Sequence, residues 1–458
     1  MHTFIALAID TSYLTAVYIN LGIFIFFCLC SALLLWRLNF GYKGYKLLFL
    51  IYTLFWIPLM LLRAYTGTMA TSLGLSAIAW LPLAAYGFIG IFARLFADWF
   101  AFLRHNRKGF IYLALFFQLV TYIPIICAPS LATNIIQSLG VGLGASCIGS
   151  YQLLFNEQYG KAKQFLTVSI LSIPPLLADF ISSPIQSIVA SLCYHQGNKY
   201  DPNVLRFLWL IGLVFVLITF IILFFYKENR SQLYKDIKYK QQIRTKPEWI
   251  DFILIAFLGS LIAFVKFANS GAIATNHIQW ITSGTSKPYE GYISVVFSVF
   301  QLIGGLITGL ILVNRLGKFQ TFSLGCITWI IYEIGSAYIH NVTGYFAIHA
   351  LNGLSYGIIY NLILGSVLQK VFSTKKQTPM GVYQSVLSIG IMCGTWFSSW
   401  MKATTQYSST ANYGEYWHVV SIINWTLVAV IVLSWIVFSY CSLLEKWKYQ
   451  RLWFNYHN

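Results

Sequence analysis

Five charged residues stand inside long apolar stretches of this chain: Arg63, Arg94, Asp179, Lys266 and Glu333. A charge at the centre of a bilayer costs about 2.5–3.5 kcal/mol on insertion scales, so each needs a partner or a task. Arg94 and Asp98 are spaced i, i+4, which puts them on one helix face where they can pair. Asp179 lies in PPLLADFISSP, where Pro174, Pro175 and Pro184 break helical hydrogen bonds. Its carboxylate can satisfy freed backbone groups, take up a coupling proton or pair with Lys266. Glu333 is either a structural hydrogen-bonding residue or a proton site. His349, Asn352, Tyr356 and Tyr360 recur at helical spacing. Polar aromatics on one face suit a small polar ligand, and they equally suit interhelical hydrogen bonding. Gln137 and Gln384 are weaker candidates of the same kind.

Chemistry of soluble type is missing. Gly160-Lys161-Ala162 and Gly317-Lys318-Phe319 lack the upstream glycine spacing and the Ser/Thr of a phosphate loop. No H-E-x-x-H or G-x-S-x-G occurs, and the eight histidines show no metal-ligand spacing. No catalytic residue, metal or cofactor is therefore expected, and the chain does not read as an enzyme. The eight cysteines fall mostly in apolar runs without paired spacing, as buried small hydrophobes do.

The elements that must position these side chains are membrane helices. Of 458 residues, 58% are hydrophobic and 9% charged, with mean hydropathy +0.68. Soluble domains run near 25% charged, so lipid must serve as part of the solvent. A span needs roughly 20 apolar residues, and 13 candidates lie near 14–36, 46–70, 75–100, 109–128, 131–155, 164–192, 204–226, 250–275, 291–313, 319–340, 343–369, 379–402 and 418–442. The N-terminus has no basic region or small-residue cleavage site of a secretory signal.

The net charge of +17 reflects loops rather than nucleic-acid binding. With the hydrophilic stretch 227–248 placed in the cytoplasm, 23 of the 30 Lys and Arg fall on the cytoplasmic side and 5 outside. The C-terminus is then cytoplasmic and, with 13 spans, the N-terminus outside; if the 14–36 helix does not span, the N-terminus is inside and the rest is unchanged. The stretch also divides the last 12 spans into six and six. Ser169–Ile173 (SILSI) matches Ser385–Ile389 (SVLSI) at an offset of 216, and Asp98 matches Asn314 at the same offset. A duplicated six-helix unit with an axis along the membrane normal is expected.

NRLGK (Asn314–Lys318) resembles the end of the D-R-x-G-R/K loop signature of the major facilitator superfamily, with Asn314 in place of the Asp. Ala97-Asp98, with Arg107-Lys108 beyond, is similar to the first-half copy. That copy has about five extra residues, and Arg94 stands where a Gly is usual. Met380–Gly394 (MGVYQSVLSIGIMCG) is similar to the family's eleventh helix, and KENR (Lys227–Arg230) to a motif after helix 6 in sugar porters. The resemblance covers roughly residues 46–442. It implies an all-α membrane protein of the major facilitator fold, two pseudo-symmetric six-helix bundles plus one extra N-terminal helix. The division is 1–45 extra helix and linker, 46–226 first bundle, 227–249 basic cytoplasmic linker, 250–442 second bundle and 443–458 basic tail. It further implies a monomeric, multi-pass protein of the cell membrane, with a small-molecule substrate and the lipid bilayer as partners and no nucleic acid. The function implied is secondary active transport by alternating access. Arg94, Asp98, Arg107, Lys108, Arg315 and Lys318 become gating residues.

In that fold, core helices 1 and 7 line the central path. Arg63 stands 17 residues after Lys46 on the first, and Lys266 stands 17 after Trp249 on the second. Two facing cations at matched depth repel unless an anion lies between them, an arrangement similar to the organophosphate:phosphate antiporters. An anionic metabolite, organophosphate or carboxylate, is the expected substrate. Arg63, Lys266, His349, Asn352, Tyr356 and Tyr360 would bind it, and Asp179 and Glu333 would serve coupling or charge pairing. The competing readings are snorkelling of both cations to headgroups, an exporter of amphipathic compounds, a membrane transferase and a flux-less sensor. Helix 4 lacks the Arg, and helix 5 the Gly-Pro pair, of the proton-coupled drug antiporters.

Overall fold

A computed structural model describes residues 11–37, 44–75, 78–104, 106–159, 164–195, 199–228, 249–269, 274, 277–278, 281, 292–373, 377–404 and 413–457. The helices are α1 (Thr11–Arg37), α2 (Tyr45–Arg63), α3 (Thr66–Ser72), α4 (Trp80–Arg104), α5 (Arg107–Cys127), α6 (Leu131–Ala145), α7 (Ile148–Tyr159), α8 (Gln164–Ile170), α9 (Ile173–Leu192), α10 (Pro202–Leu205), α11 (Phe207–Phe225), α12 (Trp249–Ala268), α13 (Tyr292–Ile307), α14 (Val313–Tyr338), α15 (Val342–Ser373), α16 (Gln377–Thr404) and α17 (Tyr413–His457). The only extended pairing among the described residues is a two-residue antiparallel contact, Tyr194–His195 with Lys199–Tyr200.

Ten helical stretches among the described residues are long and apolar enough to cross a membrane. One of them, Tyr292–Tyr338, has 47 residues and turns at Gly317, where φ is 79° and ψ 171°. That left-handed backbone suits a residue without Cβ. It falls within NRLGK, so the loop motif marks the reversal between two spans. Phe252–Ala268 is a shorter apolar helix. The chain is thus a multi-pass membrane protein, and the large exposed side chains Phe92, Phe224, Phe225 and Ile436 supply an apolar outer face.

Three expected spans are broken inside the bundle, for local reasons. α2 gives way to α3 at Ala64–Tyr65, where the Thr66 hydroxyl bonds back to the Leu62 carbonyl at 3.0 Å. The α6–α7 break follows the glycine-rich GVGLGAS. The α8–α9 break precedes Pro174-Pro175, whose rings suit the first turn of a helix. Capping starts others: Ser130 and Thr133 form a capping box on α6, and the Asn106 side chain accepts from Gly109 N–H at 2.7 Å on α5.

Two large apolar cores follow the two halves. One is built mainly from residues 48–226, the other mainly from 252–438. The duplicated SxLSI motif performs the same job in each half. The Ser169 hydroxyl donates to the Gly305 carbonyl at 2.7 Å, from α8 to α13. The Ser385 hydroxyl donates to the Ile91 carbonyl at 2.6 Å, from α16 to α4. The serines are offset by 216 and their acceptors by 214, so the two bonds are pseudo-equivalent ties between the halves. α4 and α13 therefore occupy corresponding places, as do α8 and α16.

α1 is the additional helix. It lies along α9, with Phe27 stacked on Phe180 at 4.5 Å between centroids. It also reaches the second half: the Tyr292 hydroxyl at the start of α13 donates to Asn20 Oδ1 at 2.5 Å.

Candidate functional site

Arg63 is the last residue of α2, and Lys266 lies in the last turn of α12. A helix C-terminus favours a cation, because its final carbonyls point outward. Both side chains meet the Phe267 ring, with the Arg63 guanidinium carbon 4.7 Å and Lys266 Nζ 5.8 Å from its centroid. Lys266 is further surrounded by Tyr356 at 4.1 Å and Phe297 at 4.8 Å. Such cation–π contacts are worth up to about 2 kcal/mol when desolvated. They hold the ammonium while leaving its hydrogen-bond donors for another acceptor.

Asp179 is buried in α9 and accepts a hydrogen bond from Ser298 of α13. It lies within electrostatic reach of both Arg63 and Lys266. No direct ion pair links these three among the described residues, so the two cations share one carboxylate at a distance. The same neighbourhood holds the Ser183–Ser294 hydroxyl contact at 3.1 Å.

Tyr356 stacks on Tyr360 with centroids 5.2 Å apart. From Tyr360 a polar chain crosses between the halves. Gln152 Nε2 donates to the Tyr360 hydroxyl at 3.0 Å, Gln384 Nε2 donates to Gln152 Oε1 at 2.9 Å, and Arg94 Nη1 donates to Gln384 Oε1 at 3.0 Å. Arg94 Nη1 also reaches the Gln384 carbonyl at 3.3 Å.

The six expected ligand residues thus fall into two groups. Arg63 and Lys266 lie within electrostatic reach of Asp179, Tyr356 packs on Lys266 and Tyr360 stacks on Tyr356. His349 and Asn352 meet Tyr332: His349 Nδ1 lies 3.2 Å from its hydroxyl and Asn352 is within its reach, while the His349 ring approaches both Tyr345 and Phe297 of the Lys266 seat, at 5.7 and 6.0 Å between centroids. Glu333 belongs beyond that cluster, accepting from Asn269 Nδ2, while its second oxygen is buried without a partner. Gln137 is a fully buried hub holding Thr66, Asn134 and Ser138. Gln152 escaped sequence reasoning. A glutamine in the polar helix end IGSYQLLFNEQY carries no pattern that separates a bridge between halves from a solvated residue.

No protein-family model matches the chain, and no curated protein matches its sequence. Solved structures do. The human organic anion transporter MFSD10 superposes with TM-score 0.62 at 10% identity, covering 86% of this chain and 98% of that one. A bacterial homolog of the human lysosomal transporter Spinster gives 0.62 at 16%, covering 88% and 98%. The proton:xylose symporter XylE gives 0.62 at 12%, covering 85% and 93%.

The chain has the major facilitator superfamily fold.

Within the major facilitator fold, α2–α3 and α12 are core helices 1 and 7, α4 and α13 helices 2 and 8, and α15 and α16 helices 10 and 11. Of the six expected gating residues, Arg94 is built into the bridge between helices 2 and 11. The Asp98 side chain lies outside the described residues. The basic run after helix 2 grips the end of helix 6. Glu228 accepts from the backbone N–H groups of Arg107 at 3.3 Å and Lys108 at 3.2 Å, at the N-terminus of α5 where an anion is favoured. Lys108 Nζ binds the Phe224 and Tyr226 carbonyls at 3.0 and 2.5 Å. In the second half Arg315 is exposed and Lys318 half-buried beside the Gly317 turn.

Proposed function

We propose that this protein is a secondary active transporter that moves a small anionic solute by alternating access between its two bundles, taken as residues 46–226 and 250–442. The reading is carried by one observation. Arg63 and Lys266, from pseudo-equivalent helices of the two halves, converge on one phenylalanine ring, with one carboxylate among the described residues, Asp179, within electrostatic reach of both. An anion accepted there touches both halves at once, so binding and release follow their relative motion. The aromatic seat of Lys266 fixes the charge without satisfying its donors, as a ligand site requires.

The fold does not choose the cargo: structures with this architecture are described as transporters of an organic anion, of xylose and of a nucleoside. The choice rests on the two cations. Their test is uptake of labelled inorganic phosphate and short carboxylates into proteoliposomes, with equilibrium binding measured in parallel. Arg63→Gln and Lys266→Gln each remove a charge-assisted hydrogen bond, worth about 1.5–3 kcal/mol. Each variant is expected to weaken anion binding about ten-fold or more, not merely to slow turnover. Anion binding and uptake at parental levels in both variants would rule out this site, and uptake of neutral solutes alone would rule out the anionic substrate.

A further inference from the structure

Arg94 has no counterpart in the second half. The offset of 214 between Ile91 and Gly305 places Thr308 of helix 8 opposite it. The fold therefore does not require a cation at this position. The side chain is 4% exposed, and its Nε has no hydrogen-bond partner. Its one hydrogen-bond partner among the described residues is a neutral glutamine, Gln384. Tyr86, Tyr356, Tyr360 and Tyr383 lie within its electrostatic reach, and the buried Tyr383 hydroxyl is also unpartnered. A guanidinium held among phenols and amides, with donors unused, is arranged to meet an acceptor from outside the protein.

This group stands apart from the Arg63–Lys266 pair. Between them runs the stacked Tyr356–Tyr360 pair: Lys266 sits over the Tyr356 ring at 4.1 Å, and Tyr360 leads through Gln152 and Gln384 to Arg94. Among the described side chains along this path there are three cations and one carboxylate, Asp179. A membrane interior tolerates that surplus of positive charge poorly, and a solute carrying two separated negative groups balances it.

We infer that Arg94, with the tyrosines around it, forms a second anion subsite, and that the transported solute carries two anionic groups. One engages Arg63 and Lys266, the other Arg94, with the solute's body against the Tyr356–Tyr360 pair. The inference rests on the proposed anionic site and extends it. It also gives the bridge a role. When the second anionic group takes Arg94, the guanidinium gives up Gln384 and the tie between helices 2 and 11 loosens, so the occupied protein opens where the empty one stays latched.

The test uses the full chain in lipid nanodiscs, with dicarboxylates of four to eight carbons against monocarboxylates of the same length. The parent is expected to bind its best dicarboxylate at least ten-fold more tightly than the matched monocarboxylate. Arg94→Gln should lower dicarboxylate affinity at least ten-fold and monocarboxylate affinity by much less, so that the preference for two anionic groups is lost. Arg94→Lys should recover part of the difference, and Lys266→Gln should weaken both series. Equal binding of both series by the parent overturns the second subsite and leaves the single-site anion reading standing. Equal weakening of both series in Arg94→Gln makes Arg94 structural and also overturns it. Binding of neither series, nor of inorganic phosphate, overturns the subsite and the anion reading together.

Discussion

Asp179 and Glu333 are both carboxylates inside the membrane, yet their surroundings assign them different work. Asp179 stands where α9 meets α13, receives a serine hydroxyl and faces two cations. Glu333 is completely buried, receives one amide from Asn269 and leaves its second oxygen unpartnered. No cation approaches it among the described residues, so a charged form there would be uncompensated. Glutamine has the shape of a neutral glutamate and keeps the acceptor that Asn269 uses. Glu333→Gln should therefore unfold within about 1 kcal/mol of the parent in detergent. Asn269→Ala, which strands the carboxyl, should lose about 1–3 kcal/mol. A large loss in Glu333→Gln would show that the carboxyl group itself is needed.

The element that most directly builds the site is the contact between α13 and α15. A Cβ on Gly353 would lie 2.2 Å from the Phe297 carbonyl oxygen, and one on Gly357 2.2 Å from that of Gln301. Glycines four apart let the two backbones touch, as in small-residue packing between membrane helices. That approach brings the Phe297 and Tyr356 rings to 5.8 Å and makes the aromatic seat of Lys266. Gly357→Val must push the helices apart, at a cost of about 1–3 kcal/mol. It should lower thermal stability and weaken anion binding together, although residue 357 itself is no ligand. Unchanged binding affinity, measured on the surviving folded fraction, would separate the seat from the helix contact.

Across the whole molecule, charge distribution sets the orientation. The 23-to-5 division of Lys and Arg predicts that position 240 faces the cytoplasm and position 198 the outside. Both positions lie outside the described residues, so labelling must decide. Single cysteines at 240 and 198, in a chain whose eight native cysteines are replaced, should react with an impermeant reagent from opposite sides. Reaction from one side would overturn the topology. α1 would then need a new account too, since its contacts with Phe180 and Tyr292 tie it to both halves.

Most of the architecture was legible in the chain itself. Span length and apolarity report on burial in lipid, which each segment experiences by itself. The SILSI and SVLSI repeats were legible as well, because duplication preserves spacing, and the structure shows both making the same tie. The matched depth of Arg63 and Lys266 follows from counting residues at a constant helical rise. Partnership was a different matter. Spacing offered Arg94 the nearby Asp98, whose side chain lies outside the described residues; it gave no hint of the bond from the guanidinium to Gln384, 290 residues away. Spacing also grouped His349 and Asn352 with Tyr356 and Tyr360; the packing of α14 against α15 brings the first two to Tyr332, with the His349 ring still 6.0 Å from Phe297. Gln152 carried no signal until α7 was set beside α15 and α16. Helical periodicity says which residues share a face; only tertiary packing decides what that face meets, because the partners come from remote segments whose approach is set by the sum of many small contacts.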